Sequence, residues 1–240
     1  IVSSHVPVGC ECIGSIADHK TDKIYWFVAG PVNGTTTSNV TVWKDYILEH
    51  DIQNDTTKYV FVDIWKVITK SPAVSSSTDG FAYAPEVSGI DSYNNTGIRI
   101  GMKITTYPSV LANHGYEVRD IQYDSGNDRW KILHGSQFYS SGFGVPGTNQ
   151  EVTYQSDRIL NFQPAYGASF ARYITGINIL DGMLFWTDDA TEPKKINIER
   201  SIKGTGGIQY LQAGSPLGYA SASTTSPLID ATFTGDTAHF

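Results

Sequence analysis

The sequence lacks the features that mark disulfide-stapled, membrane-spanning or helical proteins. Its 240 residues include two cysteines, Cys10 and Cys12, and an i,i+2 pair in a strand is poorly spaced for a disulfide. No apolar run approaches the ~18 residues that a membrane helix needs. Alanine and leucine are too sparse for a helical bundle. We therefore expect no membrane segment and no disulfide framework.

Positive charge is also scarce. Charged residues make up 17% of the chain, the net charge is -7, and the densest basic cluster is the pair Lys194 and Lys195. A dedicated nucleic-acid binder normally carries a basic patch or stripe. A mildly acidic surface suits a protein that lets DNA pass without sequence-specific contact, although ordinary solubility explains the same charge.

The residues that are abundant indicate an all-β protein. Val, Ile, Thr, Tyr and Trp recur in short runs that are separated by Gly, Asn, Asp and Ser, and aromatic residues reach 12%. This composition is typical of strands joined by turns.

An internal repeat organises these strands. The first copy reads CIGSIADHKTDKIYWFVAG, then DYILEHDI, then KYVFVDI. The second reads YITGINILDGMLFWTDDATEPKKINIERSIKG, then GIQYL. Each copy has a glycine before a short alternating strand, a tight polar turn, an aromatic strand and a third alternating strand. We predict two antiparallel meanders with equivalent glycines and tryptophans, and third strands over residues 46–52 and 195–200. The motif residues are Gly14, Tyr25, Trp26, Gly176, Phe185, Trp186, Thr187 and Asp188.

A meander this small cannot bury its faces alone, so we interpret the copies as β-propeller-like blades. The alternative is a pair of unrelated hairpins in a sandwich. The predicted organisation is a first blade over 9–66, an inserted small β module with loops over 67–172, a second blade over 173–213, and an extended segment over 214–240. We expect the chain to be a piece of a longer polypeptide.

The sequence also resembles two groups of known proteins. Residues Phe185-Trp186-Thr187-Asp188 are similar to the YWTD blades of receptor-type β-propellers. More closely, residues 13–28 and 175–201 resemble the two conserved segments of a family of bacteriophage virion structural proteins. That resemblance implies a tail nozzle or tail-tube protein in the phage tail. Its partners would be other copies in a ring, neighbouring tail or portal proteins, and genomic DNA passing through.

No cofactor or metal site stands out. His5, Cys10, Cys12 and His19 do not have the spacing of a zinc finger. Asp188, Asp189 and Glu192 lack the ligand pattern of a calcium loop, and we predict that Asp188 caps a turn or pairs with a nearby Lys or Arg.

Catalytic motifs are likewise missing from the sequence, so we expect a protein that is not an enzyme, with no catalytic residues. A carbohydrate-active propeller enzyme and an extracellular YWTD-type binding domain are the alternatives. Of the five tryptophans, Trp26 and Trp186 are expected in the core, because aromatic side chains bury large areas. Trp43 is expected to be the most exposed.

Overall fold

The computed structural model describes residues 6–37, 40–71, 81–84, 97–106, 117–118, 120–124, 129–133, 150–162 and 173–203. In this part of the chain nearly all regular structure is β-strand, so the all-β prediction is confirmed. The strands are β1 (Glu11–Asp18), β2 (Lys23–Ala29), β3 (Thr35–Thr37), β4 (Val40–Asp51), β5 (Thr56–Ser71), β6 (Phe81–Ala84), β7 (Lys103–Thr106), β8 (Asp120–Asp124), β9 (Arg129–Leu133), β10 (Gln150–Gln155), β11 (Gly176–Leu180), β12 (Met183–Thr187) and β13 (Lys194–Asn197). One short helix, α1 (Ile198–Lys203), follows β13. It is too short to cross a membrane, and no other helix occurs in the ranges given above.

The strands form three antiparallel sheets. The largest has the order β1-β2-β4-β5-β10-β7, with β3 paired to β4. A second sheet has the order β11-β12-β13, and a third has the order β6-β9-β8. The predicted inserted region therefore divides between two sheets, because β7 and β10 extend the largest sheet while β6, β8 and β9 form a small sheet of their own. β8 and β9 pair antiparallel, with Asp124 opposite Arg129.

Hydrophobic clusters cover both faces of the largest sheet. Tyr46 and Leu48 of β4 point into one cluster, which also contains Ile132 of the small sheet. Ile47, between them, points into the other cluster, which contains Leu184 and Trp186 of the β11-β12-β13 sheet. Because side chains alternate along a strand, a strand covered on both faces is buried at successive positions, as β4 is over residues 45–50. The largest sheet is thus the middle layer of the described fold.

One predicted strand ends early. The third strand of the second copy was expected to continue to residue 200, but β13 ends at Asn197 and α1 begins at Ile198. The Asn197 side-chain oxygen accepts a hydrogen bond from the Arg200 backbone N–H at 2.8 Å. An asparagine that satisfies a free N–H of the first turn stabilises a helix start. Ile196 and Ile198 alternate with polar residues as in a strand, so the sequence did not indicate this helix cap.

Candidate functional site

The two copies of the repeat have the same strand order and the same register. In the first, β1 pairs with β2 and β2 with β4; in the second, β11 pairs with β12 and β12 with β13. Trp26 lies opposite Ser15 and Trp186 lies opposite Ile177. Counted outward from each turn, the two tryptophans occupy the same position, and so do Gly14 and Gly176. The predicted equivalence of glycines and tryptophans is therefore present at the level of strand pairing.

The turns confirm the register. Beyond the end of the third strand, the Ile52 N–H donates to the carbonyl of Asp22 at 3.0 Å, and the Ile198 N–H donates to that of Gly182 at 3.0 Å. Both carbonyls belong to the residue just before the second strand. In the second copy, Asp181 and Gly182 have φ values of 50° and 73°, the conformation of a tight two-residue hairpin turn.

The copies stack through opposite faces of their sheets. We name four faces by their central residues. The Tyr25 face of the first copy consists of Gly14, Ile16, Tyr25, Phe27 and Glu49. The Trp186 face of the second copy consists of Ile177, Ile179, Leu184, Trp186 and Ile196. These two faces meet in one hydrophobic cluster, where the rings of Phe27 and Trp186 lie 5.5 Å apart in an edge-to-face arrangement.

The other two faces lie outside this contact. The Trp26 face of the first copy consists of Ser15, Ala17, Ile24, Trp26, Leu48 and His50, of which Leu48 and His50 are buried and Trp26 packs against the cluster that contains Leu48. The Phe185 face of the second copy consists of Gly176, Asn178, Phe185, Thr187 and Lys195. In the register of the repeat, the Tyr25 face corresponds to the Phe185 face, and the Trp26 face corresponds to the Trp186 face. The copies are therefore stacked head to tail, because each uses a face whose counterpart in the other copy lies outside the contact.

Gly14 allows the two copies to approach closely. A β-carbon added to Gly14 would lie 2.8 Å from Cβ of Ile174 and 3.2 Å from Cδ1 of Ile177. The backbones also meet here, since the Ile174 N–H donates to the carbonyl of Ile13 at 3.0 Å. Gly176 serves a different purpose, because a β-carbon there would lie 3.2 Å from Thr187 of its own sheet.

We expect Gly14→Ala to lower the free energy of unfolding by about 1–3 kcal/mol, the usual cost of an overpacked contact. Ser15→Ala is the matched control, because Ser15 is exposed on the other face of the same strand. Urea unfolding of both variants measures the difference. Equal stability of the two variants would contradict the close contact between the copies.

Phe185, Trp186, Thr187 and Asp188 end the second strand and begin a capped turn. The Asp188 Oδ1 atom accepts hydrogen bonds from the backbone N–H groups of Ala190 and Thr191 at 3.1 and 2.7 Å, and from the Thr191 hydroxyl at 2.9 Å. Partial burial raises the pKa of Asp188, but these donors outweigh it and hold the pKa below its usual value. The predicted turn cap is confirmed.

The tryptophans lie in strands, and they differ in exposure. Trp186 is buried, Trp26 is half-buried and its ring lies 5.5 Å from that of His50. The prediction that Trp43 is exposed is wrong: it is 9% exposed within β4, and its indole N–H donates to the carbonyl of Val32 at 3.0 Å. Trp43 follows the alternating Val40 and Val42 in this strand, and its side chain is buried with theirs.

The middle sheet contains a buried acidic pair that the sequence did not predict. Asp45 and Asp63 are cross-strand neighbours in β4 and β5, and both are fully buried. Asp45 accepts the backbone N–H groups of Gly30 and Phe162 at 3.1 and 3.0 Å. Asp63 accepts those of Ile159 and Leu160 at 2.7 and 2.8 Å. The pair thereby anchors the segment after β10 to the middle sheet.

The electrostatics of this pair are dominated by burial. Burial raises the pKa of Asp45 to about 6, against the lowering effects of its backbone donors and of Arg158. The Arg158 guanidinium lies 3.9 Å from Asp45 and stacks over the Trp65 ring. Burial also raises the pKa of Asp63. The sequence signal for this site is limited to Asp63, which stands within the apolar run YVFVDIW, because Asp45 begins the mixed segment DYILEHD.

A third buried carboxylate lies on the Tyr25 face. Glu49 accepts hydrogen bonds from the Lys23 ammonium at 2.8 Å and from the Tyr25 hydroxyl at 2.9 Å. Burial and the Glu49 contact raise the pKa of Tyr25 well above its usual value. This arrangement fixes polar groups on the Tyr25 face, whose apolar residues contact the second copy.

The described residues contain no group of His, Cys, Asp and Glu arranged to hold a metal ion. Cys10 and Cys12 are not joined in a disulfide, and Cys12 is exposed. His5 lies outside the described residues, as does the GIQYL segment of the second copy, residues 207–211.

Comparison with known proteins identifies no relative: no family model, no curated protein and no solved structure matches the chain.

Proposed function

We propose that this chain is a structural component of a bacteriophage virion, part of a tail nozzle or tail tube that continues the DNA ejection channel. The observation that carries the proposal is the head-to-tail stacking of two equivalent meanders. Head-to-tail contacts leave one unused face at each end, and they generate rings when the rotation between units closes. A channel protein needs such a ring.

The arrangement is also what a β-propeller uses, since its blades stack in one direction around a central axis. Propellers typically have four to eight blades. The described part of the chain supplies two meanders, so we propose that further units complete the array. The sequence resemblance of residues 13–28 and 175–201 to phage virion proteins supports the same role.

The chemistry is in keeping with a structural role. The buried carboxylates Asp45, Asp63 and Glu49 bind backbone N–H groups or neighbouring side chains. A net charge of -7 disfavours tight binding to DNA that passes through a channel, because affinity for DNA depends on Lys and Arg contacts to phosphates. We propose that the protein is not an enzyme and that it requires no cofactor.

The direct test is peptide mass spectrometry of purified phage particles whose genome encodes this chain. We expect its peptides at the copy number of a ring component, and immunogold labelling at the tail. Purified particles with no peptides from the chain would disprove the proposal.

The second candidate is an extracellular binding domain of the YWTD propeller type. The capped turn at Asp188 and the partly exposed Phe185 face favour this binding domain. Negative-stain imaging of the protein separates the two candidates: rings or tubes with a central pore support the virion role, and isolated particles with no pore-containing assemblies support the binding domain.

A further inference from the structure

An open depression of about 590 Å³ lies on the sheet of the second copy, and β11, β12 and β13 all contribute to its lining. Asn178, Phe185 and Lys195 line it as one cross-strand row. Ile177 and Trp186, whose side chains belong to the opposite face, line the same depression. Asn178 and Lys195 are exposed and Phe185 is half-buried. The volume is in the range of sites for small ligands.

The side chains of this row have no partner within the described part of the chain. There the Asn178 amide and the Lys195 ammonium make no hydrogen bond or ion pair, and the Phe185 ring stacks on no other ring. Gly176, beside them, adds no side chain to the depression. An aromatic ring, an amide and a cation are therefore available to a ligand at one place.

The equivalent row of the first copy is satisfied internally. It consists of Ile16, Tyr25 and Glu49. The Glu49 carboxylate accepts hydrogen bonds from the Tyr25 hydroxyl at 2.9 Å and from the Lys23 ammonium at 2.8 Å. In the second copy a phenylalanine stands in place of the tyrosine, and Lys195 stands in place of the glutamate. That row carries a positive charge without an internal counter-ion, so a matching occupant is negatively charged.

A saccharide that carries a carboxylate has the chemistry that this row can bind. The Phe185 ring offers a flat apolar surface on which the C–H face of a sugar ring can stack. The Asn178 amide can both donate hydrogen bonds to hydroxyl groups and accept them. The Lys195 ammonium can donate a charge-assisted hydrogen bond to a carboxylate.

Other anionic ligands match the depression less well. An extended peptide gains affinity from main-chain pairing at the edge of a sheet, whereas this row lies on a face. Nucleic acids need several Lys or Arg contacts to phosphates. Here Lys195 is the available cation, because the neighbouring Lys194 ammonium already donates to the Thr191 hydroxyl.

We propose that the depression around Phe185 binds an acidic saccharide, with the Phe185 ring stacked on a sugar ring, the Asn178 amide bonded to hydroxyl groups and the Lys195 ammonium paired with a carboxylate. This binding activity goes beyond the proposed assembly role. It does not depend on that role, because all of the residues belong to a single chain.

Isothermal titration calorimetry with three acidic oligosaccharides tests the site. The probes are trigalacturonic acid, a hyaluronan tetrasaccharide and disialic acid, each compared with its uncharged methyl ester. We expect at least one acid to bind, and to bind more tightly than its ester. Lys195→Gln should weaken binding of the acid about tenfold and leave binding of the ester unchanged, because only the acid pairs with the ammonium. Phe185→Ala should weaken both about three- to tenfold.

Lys20→Gln is the matched control, because Lys20 is an exposed lysine in the turn between β1 and β2 and does not line the depression. It should bind like the wild type. Circular dichroism and thermal unfolding establish that the variants are folded, and Lys195→Gln alters only an exposed position.

Four results would overturn the proposal. The first is that none of the three acids binds, and the second is that Lys195→Gln binds the acid as tightly as the wild type does. The third is that hexaglutamate or a thymidine decanucleotide binds as tightly as the best saccharide, which would assign the site to acidic peptides or nucleic acid. The fourth is that the wild type sediments as an oligomer and Phe185→Ala as a monomer, which would show that a second copy covers the depression.

Discussion

Replacing Trp186 with alanine should lower the free energy of unfolding by about 3–5 kcal/mol, the usual cost of removing a fully packed aromatic side chain. Trp186 is 4% exposed, and its ring contacts Phe27 in the cluster between the two meanders. The cavity left by the substitution would lie where the two sheets meet. Neither sheet can fill it without disturbing the pairing of its own strands. Chemical denaturation monitored by circular dichroism measures the change.

Two comparisons make this result specific. Trp26→Ala should cost less, because Trp26 is only half-buried, although the sequence predicts both tryptophans in the core. Trp186→Phe should retain most of the stability, because it keeps an aromatic ring in place and removes an indole N–H that has no hydrogen-bond partner among the described residues. A loss at Trp26 as large as that at Trp186 would contradict the assignment of the buried faces.

The protein should become more stable as the pH falls from 7 to 5, by about 1–1.5 kcal/mol from Asp45 alone. The pKa of Asp45 is raised to about 6 in the folded protein. The folded state therefore binds the Asp45 proton more tightly than the unfolded state does. The stabilisation is fully present below the unfolded pKa near 3.8 and is lost as the pH rises through 6. Asp63, whose pKa is also raised, acts in the same direction.

Asp45→Asn is the control, because the amide keeps the shape of the side chain and does not titrate. Urea unfolding of both proteins between pH 5 and pH 7.5 gives the difference in slope, which separates Asp45 from other groups that titrate in this range. Asp51 and Asp188, whose pKa values are lowered, produce the opposite trend only in more acidic solution. A variant with the same slope as the wild type would show that Asp45 is not the responsible group.

The repeat, its turns and the all-β class could be predicted from sequence because they depend on local signals. Turn residues such as Asp181 and Gly182 fix a hairpin and hence the register of its strands. The direction of stacking could not be predicted, because Tyr25 and Trp26 are both large aromatics and alternation alone does not say which face is covered. That choice depends on residues distant in the chain.

The buried charges illustrate the same limit. Asp45 and Glu49 look like ordinary solvent-exposed positions of an alternating strand. They are buried because a second layer covers each face of β4, and their partners come from other segments of the chain, Phe162 for Asp45 and Tyr25 for Glu49. The helix start at Asn197 could likewise not be predicted, because the residues around it alternate as in a strand.

The buried aspartates also constrain how the chain folds. The hydrogen bonds from Leu160 to Asp63 and from Phe162 to Asp45 span 97 and 117 positions of sequence. Contacts this distant carry a large entropic cost of loop closure, and folds that depend on them form slowly. During synthesis the first meander emerges with its Tyr25 face uncovered, long before the second meander exists to cover it. A nascent chain in this state presents apolar strands to its neighbours and is exposed to misassembly. We therefore expect the newly made protein to be a client of chaperones, with its rate of production limited by the late arrival of the segment that contains Leu160 and Trp186.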